Sequence, residues 1–310
     1  MTPTKMDHKE LLASLPDDVR LELTGKSDLA GILKLSSHVF AIVTTGIWIA
    51  FAFPYWQVAS VLHGIQLVFL FTLLHETLHD TPFKSQWLNI WVGRICGLVL
   101  VLPPLWFRYF HLAHHRHTHD PKRDPELAGK PIKTPIQYAW KVTGLPSLWF
   151  NLVTLLKNTG GGTQYDYVPG KARSRIKNEA RLLLCIYAGF LVASLFFQSS
   201  ILLHLWIIPM LLGQPFLRLY LMAEHGRCAH VSNMLENTRT TFTNRFVRWL
   251  AWNMPYHAEH HAFPAVPFHK LPRFHEVAKR HLQVTENGYM AFNKQHFIAL
   301  SGRNSGERKV

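Results

Sequence analysis

The sequence predicts an all-α integral membrane protein with four transmembrane helices in two hairpins and a cytosolic helical cap that carries the histidine boxes. Three observations support this prediction. The chain contains four apolar runs, each close to the roughly 20 residues that a helix needs to cross a bilayer. Lys and Arg are concentrated in the polar segments between and after these runs. Most of the 20 histidines lie in the same polar segments, or where an apolar run ends.

The four apolar runs form two pairs along the chain. The first pair covers residues 31–53 and 58–78, and the second covers residues 180–197 and 201–222. Within each pair the connection is a few residues long and polar or turn-forming. Short connections favour antiparallel neighbouring helices, so each pair is interpreted as a transmembrane hairpin.

A fifth apolar stretch, residues 87–106, is interpreted as a peripheral or re-entrant segment. Arg94 lies in its middle, where a charge is costly in lipid. Pro103 and Pro104 near its end interrupt a helix. If this stretch crossed the membrane, the histidines before it and after it would face opposite sides of the bilayer.

The distribution of charge predicts the orientation and the domain boundaries. Residues 1–30 form a cytosolic N-terminal segment, residues 31–300 the membrane domain and residues 301–310 a polar tail. The two hairpin turns contain no Lys or Arg, whereas the long central loop and the C-terminal region are basic. The positive-inside bias therefore places both termini, the central loop and the histidine-bearing segments, which would form the active site, in the cytosol. In that loop, residues 137–158 suit a helix lying on the membrane interface.

The composition also narrows the possible partners. The chain has 33 Lys and Arg against 19 Asp and Glu, a net charge of +14. We expect this charge to face membrane lipid rather than nucleic acid, because the basic residues adjoin apolar runs and no zinc-finger or RNA-binding motif is present. The three cysteines are widely separated and provide neither a disulfide framework nor an iron–sulfur motif.

Histidines at four places along the chain form the candidate site. In a helix, residues i, i+3 and i+4 lie on one face, so an HxxHH motif directs three imidazoles the same way and an HxxxH motif directs two. Neutral imidazole is a good ligand for iron, copper and zinc. The candidate metal ligands are His75, His79, His111, His114, His115, His225, His257, His260 and His261.

Nine imidazoles exceed the ligands that one first-row ion takes, so two metal ions are predicted. Carboxylates beside the ligands are candidates for fixing the imidazole tautomers: Glu76, Asp80, Asp120, Glu224 and Glu259. Isolated histidines are more often structural, and this interpretation is given to His38, His63, His204, His269, His281 and His296.

These motifs resemble the membrane fatty acid desaturase and hydroxylase superfamily, the histidine-box di-iron proteins. One HxxxH box and two HxxHH boxes mark that superfamily, and here they are His75/His79, His111/His114/His115 and His257/His260/His261. The surrounding residues are also similar, namely RYFHLAHH (108–115), DPE (124–126) and NMPYHAEHHAFP (253–264). His225 matches a further family histidine, although Leu221 stands where some acyl-CoA desaturases have asparagine. The resemblance covers about residues 35–285.

The resemblance implies an O2-dependent di-iron oxidoreductase that acts on unactivated C–H bonds of a lipid-like substrate. Two Fe ions would be the cofactor, O2 the co-substrate, and no catalytic residue is expected beyond the metal centre. Fatty acyl desaturation is the leading interpretation, and hydroxylation of a carotenoid, an alkane or another hydrophobic molecule is the alternative. Because no haem, cluster or dinucleotide motif is present, electrons are expected from a separate carrier, a ferredoxin, rubredoxin or cytochrome with its reductase.

Two other classes are compatible with parts of the pattern. His75-Glu76-Thr77-Leu78-His79 also matches the HExxH helix of zinc metalloproteases, in which the glutamate is the general base. That reading accounts for two of the nine histidines. A histidine-rich metal transporter would place ligands inside the spans, whereas these histidines lie at the predicted span ends.

Overall fold

The structure, a computed structural model, describes residues 5–162 and 165–302, and the chain is mainly helical over these residues. The helices are α1 (His8–Ser14), α2 (Asp17–Leu23), α3 (Asp28–Ala50), α4 (Trp56–Leu78), α5 (Gln86–Leu100), α6 (Pro104–His117), α7 (Pro135–Val142), α8 (Leu145–Gly160), α9 (Gly170–Phe196), α10 (Ile208–His225), α11 (Met234–Asn237), α12 (Arg245–Leu250), α13 (His257–Ala262), α14 (Leu271–Ala278) and α15 (Tyr289–Leu300). A 3₁₀ turn covers Pro125–Ala128, and a π-helical segment, Leu203–Ile207, precedes α10. Strands β1 (Thr240–Thr241) and β2 (Thr285–Glu286) pair in parallel. Most of the predicted polar tail, residues 303–310, and the first four residues lie outside the described residues.

Four helical stretches in the described residues are long and apolar enough to cross a membrane: Asp17–Ala50, Trp56–Leu78, Gly170–Phe196 and Leu203–His225. The predicted all-α architecture with four membrane-length apolar helices is therefore confirmed. The third of these stretches, α9, begins at Gly170, ten residues before the predicted apolar run of residues 180–197. Its first turns are rich in Lys and Arg, which have good helix propensity, so the apolar run marks only part of this helix.

The chain divides into two compact units. The membrane unit comprises residues 28–112 and 143–217, and the histidine unit comprises the described parts of residues 1–27, 113–142 and 218–310. In the membrane unit α4 packs against α3 and α5, α8 packs against α9, and the π-helical segment packs against α3 and α4. In the histidine unit α13 packs against α11 and α14.

The predicted peripheral stretch corresponds to α5 and the start of α6, whose axes differ by 98°. Val101 ends α5 in the left-handed conformation, and Pro103 and Pro104 follow after Leu102. Proline cannot continue a regular helix across this point. Length and composition are compatible with a broken span or a re-entrant loop, so the peripheral position remains a prediction. Arg94 stacks over Trp91, at 4.9 Å from the ring centroid.

Two buried histidines of the membrane unit form hydrogen bonds with backbone carbonyl groups. Nε2 of His38 lies 3.0 Å from the carbonyl oxygen of Gln66, and Nε2 of His63 lies 3.0 Å from that of Leu205. Leu205 belongs to the π-helical segment, where regular helical hydrogen bonding is interrupted. Thr45 Oγ1 lies 2.7 Å from the other ring nitrogen of His63. These contacts agree with the structural role predicted for both histidines.

The N-terminal helices pack within the histidine unit. α1 begins with a capping box, in which Asp7 accepts hydrogen bonds from the first turn and Glu10 accepts one from the Asp7 amide. His8 connects this helix to α11, because its amide donates to Asn233 and its Nδ1 accepts from the Met234 amide. The N-terminal segment is thus attached to α11, in the unit that carries most of the candidate ligands.

Candidate metal centre

Three candidate ligands converge in the membrane unit. His75 is in the last turn of α4, His79 caps that helix, and His111 is on α6. Nε2 of His79 lies 2.8 Å from Nε2 of His111, and the His75 and His111 rings are 4.2 Å apart between centroids. One nitrogen from each ring lies within 4.8 Å of the other two. These three imidazoles can therefore share one metal ion.

A charged contact fixes the two helices that carry this group. Asp80 follows His79 directly and adopts a left-handed conformation with φ of 58°. Its carboxylate accepts a hydrogen bond from Arg108 at 2.7 Å and another from Gln86 at 2.8 Å. Arg108 lies one turn before His111 on α6. The pair thus ties the end of α4 to the helix that carries the third ligand.

A second group converges in the histidine unit. His114 is on α6, His225 ends α10 and His261 is on α13, and one nitrogen from each lies within 4.8 Å of the others. Nε2 of His225 lies 3.2 Å from Nε2 of His114 and 3.1 Å from Nε2 of His257. Four imidazoles from three helices therefore face one another.

The opposite nitrogens of these rings are held by oxygen atoms. Nδ1 of His114 donates to Asp124 at 2.9 Å, and Nδ1 of His225 lies 3.4 Å from the carbonyl oxygen of Asn237. A proton on Nδ1 leaves the lone pair of the imidazole on Nε2. Both rings thus direct an unprotonated Nε2 towards the same place.

The other two rings of this group also have an oxygen atom near Nδ1. Nδ1 of His261 lies 3.3 Å from Thr118 Oγ1, and Nδ1 of His257 lies 3.5 Å from a carboxylate oxygen of Glu224. Nε2 of His261 is buried and has no hydrogen-bond partner among the described residues. A buried nitrogen without a partner is costly unless something else occupies its lone pair.

The donor set fits a first-row transition metal. A metal–imidazole bond is roughly 2.1 Å long, so two ligands at right angles are separated by roughly 3 Å. The Nε2–Nε2 separations of 2.8, 3.1 and 3.2 Å match this value. Imidazole nitrogen binds iron, copper and zinc alike, so this geometry is compatible with a metal site and does not select the metal.

The remaining two candidate ligands lie beside this group in the histidine unit. The rings of His115 and His260 are 4.9 Å apart, and that of His115 stacks on His261 at 4.0 Å. One nitrogen of His115 lies within 4.8 Å of one of His260. Each of the nine histidines predicted from the sequence thus lies close to at least one other in its own unit.

Comparison with known proteins supports the same assignment. A model of the fatty acid desaturase family matches residues 47–293, which is most of the chain and includes all nine candidate ligands. The chain belongs to the fatty acid desaturase family. With its four apolar helices, membership in this family makes the chain a membrane oxidoreductase and confirms the resemblance noted in the sequence.

Curated relatives in this family are similar at low identity. An sn-1 oleoyl-lipid 12-desaturase from Anabaena variabilis is 23% identical over 87% of this chain and 67% of the relative. A sphingolipid delta(4)-desaturase from Mus musculus is 26% identical over 67% of this chain and 61% of the relative. A dihydrorhizobitoxine desaturase from Bradyrhizobium elkanii is 24% identical over 87% of this chain and 78% of the relative.

In this desaturase-family chain, some of the carboxylates that were expected to orient candidate ligands contact other groups instead. Glu224 lies beside His257, whereas Asp120 accepts hydrogen bonds from the Lys122 amide and from Arg123. Glu259, between two ligands on α13, instead contacts His275 and Thr240. Neighbours in sequence point in different directions around a helix, so adjacency to a ligand does not predict contact with it.

Asp124 contacts a candidate ligand, although its position in the sequence does not single it out. It lies ten residues after His114, and the chain turns back at residues 118–124 so that the carboxylate reaches Nδ1 of that ring. The amides of His119 and Glu126 also donate to it. Burial raises the pKa of Asp124, but its contact with His114 and the amide hydrogen bonds lower it more, so the net shift is downwards.

Burial and neighbouring charge favour the neutral form of at least one candidate ligand, His261. Burial lowers the pKa of His261 well below the ordinary value, and the positive charge that neighbouring His225 and His257 would carry lowers it further. A neutral imidazole retains the lone pair that a metal requires. The site therefore disfavours the protonated ring before any ion binds.

Proposed function

We propose that this chain is an O2-dependent di-iron oxidoreductase that desaturates the acyl chain of a lipid-like substrate. One observation carries the proposal: two histidine groups, one in each unit, direct ring nitrogens inwards at the spacing of metal ligands. Membership in the fatty acid desaturase family supports iron rather than another metal that imidazole would bind.

The proposal assigns one iron to the group formed by His75, His79 and His111, and the other to the group formed by His114, His225 and His261. His115, His257 and His260 are additional ligands. When bound, the irons supply reduction of O2 and removal of hydrogen from an unactivated C–H bond. The histidines hold and orient the metals, while Asp124, Asn237, Thr118 and Glu224 fix the ring orientations.

Apolar side chains next to the membrane-unit group would exclude water from the reacting bond. The ring of Phe107 lies 5.8 Å from that of His111 and 5.6 Å from that of Phe71. Phe107 and Trp106 are buried. Excluding water suits a reaction at a hydrocarbon chain, because side reactions with solvent are prevented.

Desaturation is preferred to hydroxylation because the relatives compared above are all named as desaturases. Their names refer to an oleoyl lipid, a sphingolipid and dihydrorhizobitoxine, so a lipid-like substrate is proposed without a head group or bond position. Hydroxylation of a carotenoid, an alkane or another hydrophobic molecule is the alternative outcome of the same metal centre.

The proposal includes an arrangement in the membrane. The four apolar helices span the bilayer as two hairpins, with both termini and the histidine-bearing segments on the cytosolic side, where the basic residues lie. Electrons come from a separate ferredoxin, rubredoxin or cytochrome with its reductase. The net charge of +14 favours an acidic carrier.

The test is expression of the chain with a competent reductase and carrier in a host whose lipids are then analysed by mass spectrometry. Loss of two hydrogens from a lipid is expected, whereas gain of one oxygen would indicate hydroxylation. Elemental analysis of the purified chain should find about two irons, in line with two imidazole groups of three or more ligands. A protein that binds only zinc, or that leaves host lipids unchanged despite bound iron, would contradict the proposal.

A further inference from the structure

The candidate ligand His225 is the last residue of α10, so its position depends on how that helix ends. The last carbonyl groups of a helix lack partners within the helix and must find them elsewhere. Gly226 follows, and Arg227 has a left-handed conformation with φ of 62°. The His225 carbonyl accepts a hydrogen bond from the Cys228 amide at 3.2 Å. The carbonyls on either side of it need other donors.

One residue, Arg239, supplies those donors. Nη1 of its guanidinium donates to the carbonyl oxygen of Ala223 at 2.5 Å and to that of Gly226 at 2.8 Å. The backbone amide of Arg239 donates to the carbonyl oxygen of Glu224 at 2.9 Å. Arg239 therefore contacts the backbone on both sides of His225 and holds this ligand at the end of its helix.

The Arg239 side chain is itself held in place. It is buried, and its guanidinium lies over the ring of Phe292 at 4.5 Å from the centroid. The same ring closely approaches Gly226, where a Cβ atom would come within 2.7 Å of Phe292 Cζ. A cation over an aromatic face in a desolvated position is a favourable contact. The guanidinium thus has little freedom to leave the helix end.

The next residue links this helix end to a second ligand-bearing helix. Thr240 Oγ1 donates to Glu259, which lies between His257 and His260 on α13. The Thr240 amide donates to the carbonyl oxygen of Val284 at 3.2 Å, next to the pairing of β1 with β2. Two consecutive residues, Arg239 and Thr240, therefore connect α10 and α13 to one short sheet.

We propose that Arg239 is a positioning residue for the metal centre: by donating to the carbonyls around His225, it holds that imidazole where His114 and His257 can share an ion with it. The inference rests on the proposed metal centre but concerns a residue that is not itself a ligand. It predicts that Arg239 acts on metal binding through His225.

The sign of the effect separates positioning from simple electrostatics. Arg239 carries a positive charge, so its removal would reduce repulsion of a metal cation and strengthen binding if charge alone mattered. Loss of a positioning contact instead weakens binding. Residues that orient metal ligands typically change metal affinity by about 10- to 100-fold when they are removed. We therefore expect Arg239→Met to weaken one of the two iron sites by about that factor.

The experiment is anaerobic titration of the metal-free, detergent-solubilised full chain with Fe²⁺, and with Co²⁺ as a spectroscopic probe of ligand number. Wild type should bind two ions tightly, whereas Arg239→Met should bind one tightly and one weakly. The affinity of the weaker site should be intermediate in Arg239→Lys, because a compact ammonium cannot reproduce the planar guanidinium contacts. Arg273→Met is the matched control. Arg273 is half-exposed in the same unit and pairs with Glu22 at 3.7 Å, so both sites should stay unchanged.

A double-variant cycle shows whether the effect passes through His225. In a His225→Ala background, Arg239→Met should cause no further loss of metal affinity, because the contact it removes serves a ligand that is already gone. An equal loss in both backgrounds would mean that Arg239 only stabilises the fold. Because Arg239→Lys keeps the charge, the same cycle can be made with it if Arg239→Met does not fold.

The outcomes distinguish this inference from the proposed function. Wild type that binds no iron would refute the proposed metal centre itself. Wild type that binds two irons while the Arg239 variants bind both as tightly, or more tightly, would refute the positioning role alone. The positioning role is supported if Arg239→Met weakens one site, Arg273→Met leaves both sites unchanged, and Arg239→Met causes no further loss in the His225→Ala background.

Discussion

Asp124 accepts a hydrogen bond from Nδ1 of His114 at 2.9 Å, while Nε2 of the same ring lies 3.2 Å from Nε2 of His225. The carboxylate therefore selects the tautomer that keeps the lone pair on Nε2, where a metal would bind. We expect Asp124→Leu to weaken metal binding at this group by about 10- to 100-fold, because it removes the acceptor that orients the ring. Fe²⁺ titration of the metal-free protein measures this change.

The control for this variant is Asp120→Leu. Asp120 precedes Asp124 by four residues and likewise accepts hydrogen bonds from backbone amides, at Lys122 and Arg123. It serves the loop rather than a ligand, so iron affinity should be unchanged. Equal affinities in wild type and Asp124→Leu would show that the ring needs no carboxylate to bind metal.

Glu76 distinguishes an oxidase from the HExxH metalloprotease that the same five residues suggest. Its side chain is buried and accepts a hydrogen bond from Thr81 at 3.0 Å. A general base contributes about 10²- to 10⁴-fold to rate, so Glu76→Gln would abolish a protease. We expect the variant to retain two irons and most of its lipid oxidation. Host-lipid mass spectrometry provides the measurement. Loss of lipid oxidation with intact iron content would contradict this expectation and would give Glu76 a part in the oxidation itself.

Gly64 and Gly213 allow α4 and α10 to approach each other closely. A Cβ atom at Gly64 would lie 1.9 Å from the carbonyl oxygen of Pro209. Gly64→Val must therefore separate the helices, and overpacking of this kind costs about 1–3 kcal/mol. A lower melting temperature of the detergent-solubilised protein is expected. Gly189→Val, on the membrane helix α9 with open space around it, should leave the melting temperature unchanged.

The contact of α1 with α11 should depend on pH through His8. Burial lowers the pKa of His8, and its neutral Nδ1 accepts a hydrogen bond from the Met234 amide at 3.3 Å. Because the folded pKa is below the ordinary value of about 6.5, the released segment binds protons more readily. The stabilisation is therefore complete above about pH 6.5 and is lost as the pH falls towards the lowered folded value.

Hydrogen exchange of the α1 amides, corrected for intrinsic rates, tests this dependence. Protection should fall between pH 7.5 and pH 5.5 in wild type. His8→Gln has no titratable ring, so its protection should be the same at both values. A parallel fall in the two proteins would assign the effect to another group.

Reduction by an acidic electron carrier should slow as ionic strength rises. The chain carries a net charge of +14, and salt screens attraction between exposed charges over about 10 Å at 0.1 M. Stopped-flow reduction at low and high salt measures this effect. A rate that does not change with salt would indicate that the carrier docks through apolar or uncharged contacts.

The helical spans and the ligand types could be predicted because they depend on local patterns. Runs such as residues 58–78 are about as long as a bilayer-crossing helix needs, and α4 covers Trp56–Leu78. The HxxHH spacing places His257, His260 and His261 on one face of a helix, and this placement does not depend on contacts with distant residues. Length, hydropathy and helical periodicity are properties of contiguous residues, so they can be read without coordinates.

Contacts between distant residues depended on the tertiary structure. Asp124 reaches His114 only because the chain reverses after α6, and Arg239 reaches the end of α10 only because the segment after α11 runs back past it. Neither contact has a spacing that a helix or strand would produce. The sequence by itself determined which side chains could bind a metal and roughly where the membrane helices lie. The fold decided which carboxylate, carbonyl and guanidinium groups hold those side chains, because hydrogen bonds require a distance and an angle that only the folded chain provides.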